Sequence, residues 1–443
     1  MSTAERPNVL FLFTDDQRFD TIHALGNEII RTPNMDSLVA NGVSFTHATI
    51  MGSTMPAVCC PSRAMLMSGR TLYRAPRDLA ATVAFPEVFQ QAGYTTFSTG
   101  KWHNEPASFA RCFADGAKIF FGGMSDHHQV PVHDFDPTGR YPQQARYTGE
   151  KFSSELFADA AVEFLHKRDP QRPFLLYFSS TAPHDPRTPP QQYADMYHPA
   201  DIPLPENFMP RHPFDNGEME IRDEQLAPWP RTPDVVRRHL ADYYGMISHL
   251  DDHIGRVLEA LEATGEADKT IIVFAGDNGL ALGQHGLLGK QNLYEHSVRV
   301  PLVISGPGLP AGERRQALCY LLDIFPTLTD LIGLETPEAV EGISLAPVIK
   351  GEAEQVRDDL FFAYRNCQRC LRDRRYKLIE YLVNGTTTTQ LFDIVADPWE
   401  TSNLAGNSDY SEQLMAMRRR LTDWQAEVDD PLLQGLAPPG QGL

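Results

Sequence analysis

Four apolar runs in this chain end abruptly in residues that can bind metals or move protons. "NVLFLF" (8–13) runs into Thr14-Asp15-Asp16, and "YTTFSTG" (94–100) into Lys101-Trp102-His103. "PFLLYFS" (173–179) is followed by Ala182-Pro183-His184-Asp185, and "TIIVFAG" (270–276) by Asp277-Asn278-Gly279. An unbroken apolar run suits a strand buried on both faces, as in a sheet with helices on either side. Between these runs lie segments with helical spacing. One carries Leu156, Phe157, Ala160, Phe164 and Leu165; another carries Tyr243, Ile247, Leu250, Ile254, Val257 and Leu261. "TPNMDSLVANGVSF" (32–45) adds a helix opened by Pro33 and closed near Gly42, and "VPLVIS" (300–305) a further strand. The alternation predicts an α/β fold with a large, mostly parallel sheet flanked by helices. Open sheets of this kind bind ligands beyond the carboxyl ends of their strands. Carboxylates, histidines, a lysine and an amide are therefore delivered to one edge.

Asp15, Asp16, Asp277 and Asn278 are hard oxygen donors, without thiolates or a dense imidazole cluster among them. They suit Ca²⁺ or Mg²⁺ rather than zinc. The other reading of Asp15 and Asp16 is that they cap a turn. Asp251-Asp252 repeats the dipeptide inside a long amphipathic segment. There it is expected to be a solvated or helix-pairing feature.

With 58 acidic against 39 basic residues the formal charge is −19. Such a surface repels nucleic acid, and an anionic substrate would need local positive charge. A 42% hydrophobic content supports a sizeable core. No apolar run approaches the ~20 residues of a membrane span. The apolar run at 8–13 is too short for a signal-peptide core. The expectation is a cytoplasmic protein, or a periplasmic or secreted one whose leader is absent from this sequence.

The six cysteines do not make a disulfide framework in a chain of 443 residues. "CQRC" (367–370) lacks the second pair that a structural zinc site needs, and reads as two ordinary thiols. The adjacent Cys59 and Cys60 open "CCPSRAMLMSGR" (59–70), where Pro61 and Gly69 predict the start and end of a helix. Cys59 then lies at a helix N-terminus, whose free N–H groups favour an anion. A buried structural thiol, its pKa lowered by the helix, is the alternative.

Together these residues resemble the type I, formylglycine-dependent sulfatases of the alkaline phosphatase superfamily. Their signature is C-x-P-S-R followed by a short helix ending in T/S-G-R, here Cys59 to Arg63 and then Ser68-Gly69-Arg70. "DDQ" (15–17), "GKWH" (100–103), "APHDP" (182–186), "GDNG" (276–279) and "LGQHGLLGKQNLYEHSVRVPL" (282–302) are present in family order. "RDRRYKLI" (372–379) and "QLFDIVADPWETSNLAG" (390–406) look like the family's closing segment. The resemblance implies an alkaline-phosphatase-like fold. We place a catalytic α/β domain at 1–345 and a smaller α+β subdomain at 346–443, with a short antiparallel sheet and a terminal helix near 411–428.

The resemblance also implies that the signature cysteine is converted to Cα-formylglycine by a dedicated maturation enzyme. Only Cys59 has Pro two residues on and Arg four residues on, so Cys60 is the variable position. The hydrated aldehyde would attack sulfur, expel the substrate alcohol and later release sulfate. By the same similarity Asp15, Asp16, Asp277, Asn278 and the converted Cys59 hold the cation, usually Ca²⁺, with Mg²⁺ or Mn²⁺ as alternatives. Arg63 and Lys101 steady the nucleophile and His103 is the base of the second step. His184 and Lys290 contact the sulfate and leaving oxygen, one of them as acid. Arg187, His285, His127 and His128 are substrate-pocket candidates; His133 and many aromatics share the segment 104–150 with the last two. That segment lines a sugar pocket or is a plain surface insertion. The Pro-rich, acidic segment 198–233 has the length of a lid or binding loop.

The expected activity is hydrolysis of a sulfate monoester, on a carbohydrate by preference. A phosphonate monoester or phosphodiester hydrolase on the same scaffold is the nearest alternative. A catalytically silent sulfoglycan-binding protein is the alternative from another class.

Overall fold

In the computed structural model, which describes residues 6–433, the strand Asn8–Thr14 lies in the middle of an eight-stranded sheet. The order across it is Glu313–Arg315, Val43–Phe45, Leu302–Ser305, Thr270–Gly276, Asn8–Thr14, Phe174–Ser179, Thr95–Lys101 and Asp115–Phe120. The central strands run parallel, while Leu302–Ser305 is antiparallel to both its neighbours. The sheet is thus mixed but mostly parallel, and all four polar-ended runs finish at one edge. Side chains alternate across the pleat: Val9, Phe11 and Phe13 enter one core, Leu10 and Leu12 the other. Both faces are buried, which is why the run shows no polar interruption.

The long helix Pro233–Ala263 packs on the Leu10 face together with Ser153–Lys167 and Pro33–Asn41. Its Asp251 is fully buried and accepts the backbone N–H groups of Asn34 (3.0 Å) and Met35 (2.8 Å). It therefore caps the first turn of a neighbouring helix, the pairing arm of the expectation. Burial outweighs these hydrogen bonds and pushes its carboxyl up to about 6. Asp252 accepts the Tyr193 hydroxyl at 2.6 Å.

The opposite face carries the helix Cys59–Ser68 and, in the same continuous core, the C-terminal elements. Leu360–Tyr364, Gln368–Arg372, Tyr376–Val383 and Thr386–Asp393 form an antiparallel sheet. Its first strand pairs in parallel with Gly52–Ser53, so this sheet reaches back into the N-terminal part of the chain. A side chain at Gly52 would stand 2.0 Å from the Ala363 carbonyl oxygen, and glycine is required there. The terminal helix is Ser411–Glu427. Cys367 and Cys370 are free thiols, Cys370 inside the core.

The segment 104–150 is no plain surface insertion: Gly123 and Met124 reach the cleft that Cys59 lines, while the rest of it is structural. It contains the helix Pro106–Cys112 and the edge strand Asp115–Phe120. Its aromatics pack on one another: Phe109 and Phe113 stand edge-on to Trp102 at 5.5 and 5.6 Å, and His133 lies against Phe121 and Tyr141. Among the described residues no helix is long and apolar enough to cross a membrane.

Candidate active site

The helix Cys59–Ser68 is buried along its whole length, and Gly69 ends it in the left-handed conformation, its N–H on the Met65 carbonyl. Cys59, Ser62 and Arg63 share one face at helical steps of three and four. That face meets the strand ends. Ser62 Oγ donates to the Asp277 carbonyl (2.6 Å), and Arg63 Nε to Asp277 Oδ2 (2.9 Å). Arg63 Nη1 donates to Ser179 Oγ (2.6 Å) and to the Lys101 carbonyl (3.1 Å). One guanidinium thereby joins the signature helix to three strand ends. Cys60 is buried too, and its thiol is pushed up to about 12 by burial and by the neighbouring Cys59.

Two groups reach Cys59 Sγ: His103 Nδ1 at 3.1 Å and Lys101 Nζ at 3.5 Å. Their approach depends on Gly100. A register shift falls at Thr99/Gly100, where φ is +93°, and a Cβ there would lie 1.9 Å from the Ser179 carbonyl oxygen. The irregularity turns Lys101 and His103 toward the cysteine. His103 itself has φ +62°, and Asp16 has φ +64°, conformations uncommon for non-glycine residues. Lys101 Nζ also donates to Asp15 Oδ2 (2.5 Å) and to the Gly123 carbonyl (2.6 Å). Burial would lower this ammonium, but Asp15 beside it holds it above its ordinary value. Burial, reinforced by Lys101 and Arg63, pushes His103 down to about 2, so its imidazole is neutral.

Asp16 closes the other side. Its backbone N–H donates to Asp277 Oδ1 (3.0 Å), and its Oδ1 accepts from Asn278 Nδ2 (2.7 Å) and Lys290 Nζ (2.5 Å). His184 Nε2 stands 3.7 Å from Asp16 Oδ2, and its Nδ1 lies 2.8 Å from the Asp185 carbonyl oxygen, which can only accept. Burial would raise the Asp16 carboxyl, but His184 and Lys290 hold it well below the usual range.

The donor set fits a hard divalent cation. Asp15, Cys59 and Asp277 place ligand atoms within 4.8 Å of one another, as do Asp15, Asp16 and His184. Asp15 Oδ1 and Asn278 Oδ1 are buried without a hydrogen-bond partner, a costly state unless something positive faces them. Burial, reinforced by neighbouring negative groups such as Asp16, pushes Asp15 and Asp277 up to about 6. A cation among oxygen donors relieves both defects.

The space above these groups is a cleft of about 240 Å³. Cys59, His103, His184 and Lys290 line it. Opposite them stand Met124, Arg222, Asp223 and Gln291. Arg222 donates to Asp185 and Asp223, and Asp223 accepts from Gln291 Nε2 (2.7 Å). Part of the segment 198–233 therefore forms the cleft wall. Its length marked the segment in the sequence; nothing local marked Arg222 or Asp223.

None of the four substrate-pocket candidates lines this cleft. His285 stacks flat on Tyr294 (3.8 Å, 9°), its Nε2 at 3.0 Å from the Glu400 carbonyl oxygen, deep in the core. His127 is stacked on Phe152, and its ring nitrogens meet Ser153 Oγ (2.7 Å) and the His184 carbonyl (2.9 Å). It braces His184 from behind. His128 is exposed beside Phe152. Arg187 sits behind Lys290 and Asp16, its guanidinium over Tyr243. The apolar surroundings of the histidines decide this: aromatic stacking takes the ring faces that a sugar would need.

A helix N-terminal cysteine facing carboxylates, lysines and histidines across the carboxyl edge of a mixed sheet defines a hydrolase of the alkaline phosphatase superfamily. The chain belongs to the sulfatase family, whose model matches residues 7–334; the model "N-sulphoglucosamine sulphohydrolase, C-terminal" matches residues 283–427. It is 27% identical to an N-acetylglucosamine-6-O-sulfatase of Bacteroides thetaiotaomicron, over 96% of this chain and 87% of that protein. A solved structure in complex with its substrate, D-glucosamine-2-N,6-O-disulfate, superposes with a TM-score of 0.80 at 25% identity, covering 96% of this chain and 98% of the other. The phosphonate monoester hydrolase of Agrobacterium radiobacter shares the fold, with a TM-score of 0.79 at 24% identity over 96% of both chains.

Proposed function

We propose that this sulfatase releases sulfate from a sulfated sugar, with Cys59, as Cα-formylglycine, supplying a hydrated aldehyde as nucleophile. The observation that carries the proposal is the placement of Cys59 between His103 Nδ1 and Lys101 Nζ, beside the convergent carboxylates. Conversion of Cys59 requires a maturation enzyme as a partner. A cation, Ca²⁺ by our assignment and with Mg²⁺ or Mn²⁺ also compatible, is held by Asp15, Asp16, Asp277 and Asn278 and supplies charge neutralisation and Lewis acidity.

The chain's own groups divide the remaining work. Lys101 and Arg63 fix the nucleophile's side of the site through Asp15 and Asp277. The neutral His103 accepts a proton at Nδ1, the nitrogen nearest Cys59. His184 Nε2 and Lys290 Nζ sit on the opposite rim, next to Asp16, where the alcohol departs; one of them protonates it. The buried positive charges of Lys101, Lys290 and Arg63 offset a surface that repels anions.

The sugar assignment rests on the cleft and on the relatives. A volume of about 240 Å³ suits a single sugar ring, and Arg222, Asp223 and Gln291 offer hydrogen-bonding groups for its hydroxyls. Of the similar proteins named above, one is an N-acetylglucosamine-6-O-sulfatase and another is solved in complex with D-glucosamine-2-N,6-O-disulfate. Mass spectrometry of the peptide spanning Cys59, after co-expression with the maturation enzyme, tests the nucleophile; an unmodified thiol there would favour a silent binding protein. Turnover of sulfate esters compared with phosphate diesters and phosphonate monoesters tests the reaction. Faster cleavage of the phosphorus esters would favour the second reading, which the shared fold with a phosphonate monoester hydrolase supports.

A further inference from the structure

A pocket of about 600 Å³, larger than the reaction cleft, opens on the other side of the same sheet edge. The cleft lies beyond the strands Phe174–Ser179 and Thr95–Lys101. This pocket is lined by Thr46, after Val43–Phe45, and by Val300 and Pro301, before Leu302–Ser305. The two cavities share no lining residue. They are separated by the turn after Asn8–Thr14, where Arg18 forms part of the pocket wall.

The chemistry of the wall points to a ligand. Arg299 lies with its guanidinium over the Phe19 ring at 3.8 Å and donates from Nε to the Thr46 carbonyl (2.6 Å). Among the described residues neither Nη1 nor Nη2 donates a hydrogen bond, and the one carboxylate in reach, Glu295, is 3.9 Å from Nη1. Burial, partly offset by Glu295, pushes this guanidinium down to about 10. Arg314 enters the pocket from the neighbouring edge strand and uses only Nη2, on the Ala24 carbonyl. Arg18, by contrast, is paired with Asp20 through two hydrogen bonds. Trp399 and Tyr244 supply aromatic surface, and the exposed carboxylates of Glu28 and Glu206 stand in the wall as acceptors for hydroxyl groups. Guanidinium groups with N–H donors to spare, aromatic walls and carboxylate acceptors together suit a sugar that carries an oxyanion.

We propose that this pocket is a second carbohydrate-binding site, which takes a sulfated or carboxylated sugar unit with its anion on Arg299 and Arg314. It holds a charged unit of a saccharide chain apart from the unit undergoing reaction. Binding there does not require turnover, so it can be read in a protein that cannot react. Hydrogen exchange and calorimetry on the Cys59→Ala protein, with a sulfated glucosamine oligosaccharide as probe, supply the test. Protection is expected in the segments 19–29, 203–206 and 299–301, and it should persist when Lys290→Ala weakens the cleft. Arg314→Gln, at an exposed position, should weaken this binding about tenfold, as loss of a charge-assisted contact does, with the melting temperature unchanged. Arg299→Gln should weaken it further. Protection confined to residues 221–223 and 290–291 would overturn the proposal. So would equal binding of the desulfated oligosaccharide. Inorganic sulfate occupying the pocket as tightly as the oligosaccharide would also overturn the saccharide assignment, leaving a free-anion site.

Discussion

The two adjacent cysteines have different surroundings, one residue apart. Cys59 Sγ meets His103 and Lys101, whereas Cys60 is turned away by one helical step and buried as an ordinary thiol. Cys59→Ala should lower turnover of a sulfate ester by at least ~10³-fold, the scale of losing a nucleophile. Cys60→Ser should keep turnover and cost about 1 kcal/mol or less of stability in a melting experiment. A comparable loss in both variants would contradict the asymmetry. The register of the family signature, with Pro61 two residues on and Arg63 four residues on, made this pair readable from sequence through the resemblance. The histidines were not readable in that way. His285 and His127 have the same side chain as His184, and only their stacking on Tyr294 and Phe152 removes them from the cleft.

At the scale of elements, two junctions position the site. The bulge at Gly100 aims Lys101 and His103 at Cys59, in a strand whose composition reads as regular. Gly100→Ala adds a Cβ 1.9 Å from the Ser179 carbonyl oxygen, at φ +93°. The variant should lose both stability and turnover, measured by melting and kinetics. Wild-type behaviour in both would show that the bulge relaxes freely. The second junction is Asp251, which caps the helix Pro33–Asn41 from another helix. Removing such a cap costs about 1–2 kcal/mol, so Asp251→Ala should melt earlier. The pH dependence has a defined sign. The folded carboxyl titrates near 6, above its unfolded value, so the folded state binds the proton more tightly. Its contribution is full below about pH 4 and is lost as pH rises through about 6. The stability gap between wild type and Asp251→Ala should therefore narrow over that window. The dipeptide looked like Asp15-Asp16 in sequence; its helical setting, visible as apolar steps of three and four, told them apart.

The whole molecule gathers oxygen donors from loops more than 260 residues apart, Asp15-Asp16 and Asp277-Asn278, into one buried cluster. Burial holds Asp15 and Asp277 above their usual range despite Lys101 and Arg63, so metal should raise the melting temperature. Chelator treatment should lower it, and added Ca²⁺ should restore it by the linkage between binding and stability. A melting temperature indifferent to chelator and metal would remove the cation from this cluster. The helical and strand periods, the identities of the oxygen donors and the signature register were legible in the sequence, because each depends on chain-local spacing and on the rule that strand ends share an edge. Tertiary packing alone decided that Arg222 and Asp223 would wall the cleft, that the C-terminal sheet would join Gly52–Ser53, and that Arg299 would stand in a second pocket. Those outcomes depend on which distant segments meet, and the covalent spacing of a chain carries little information about that.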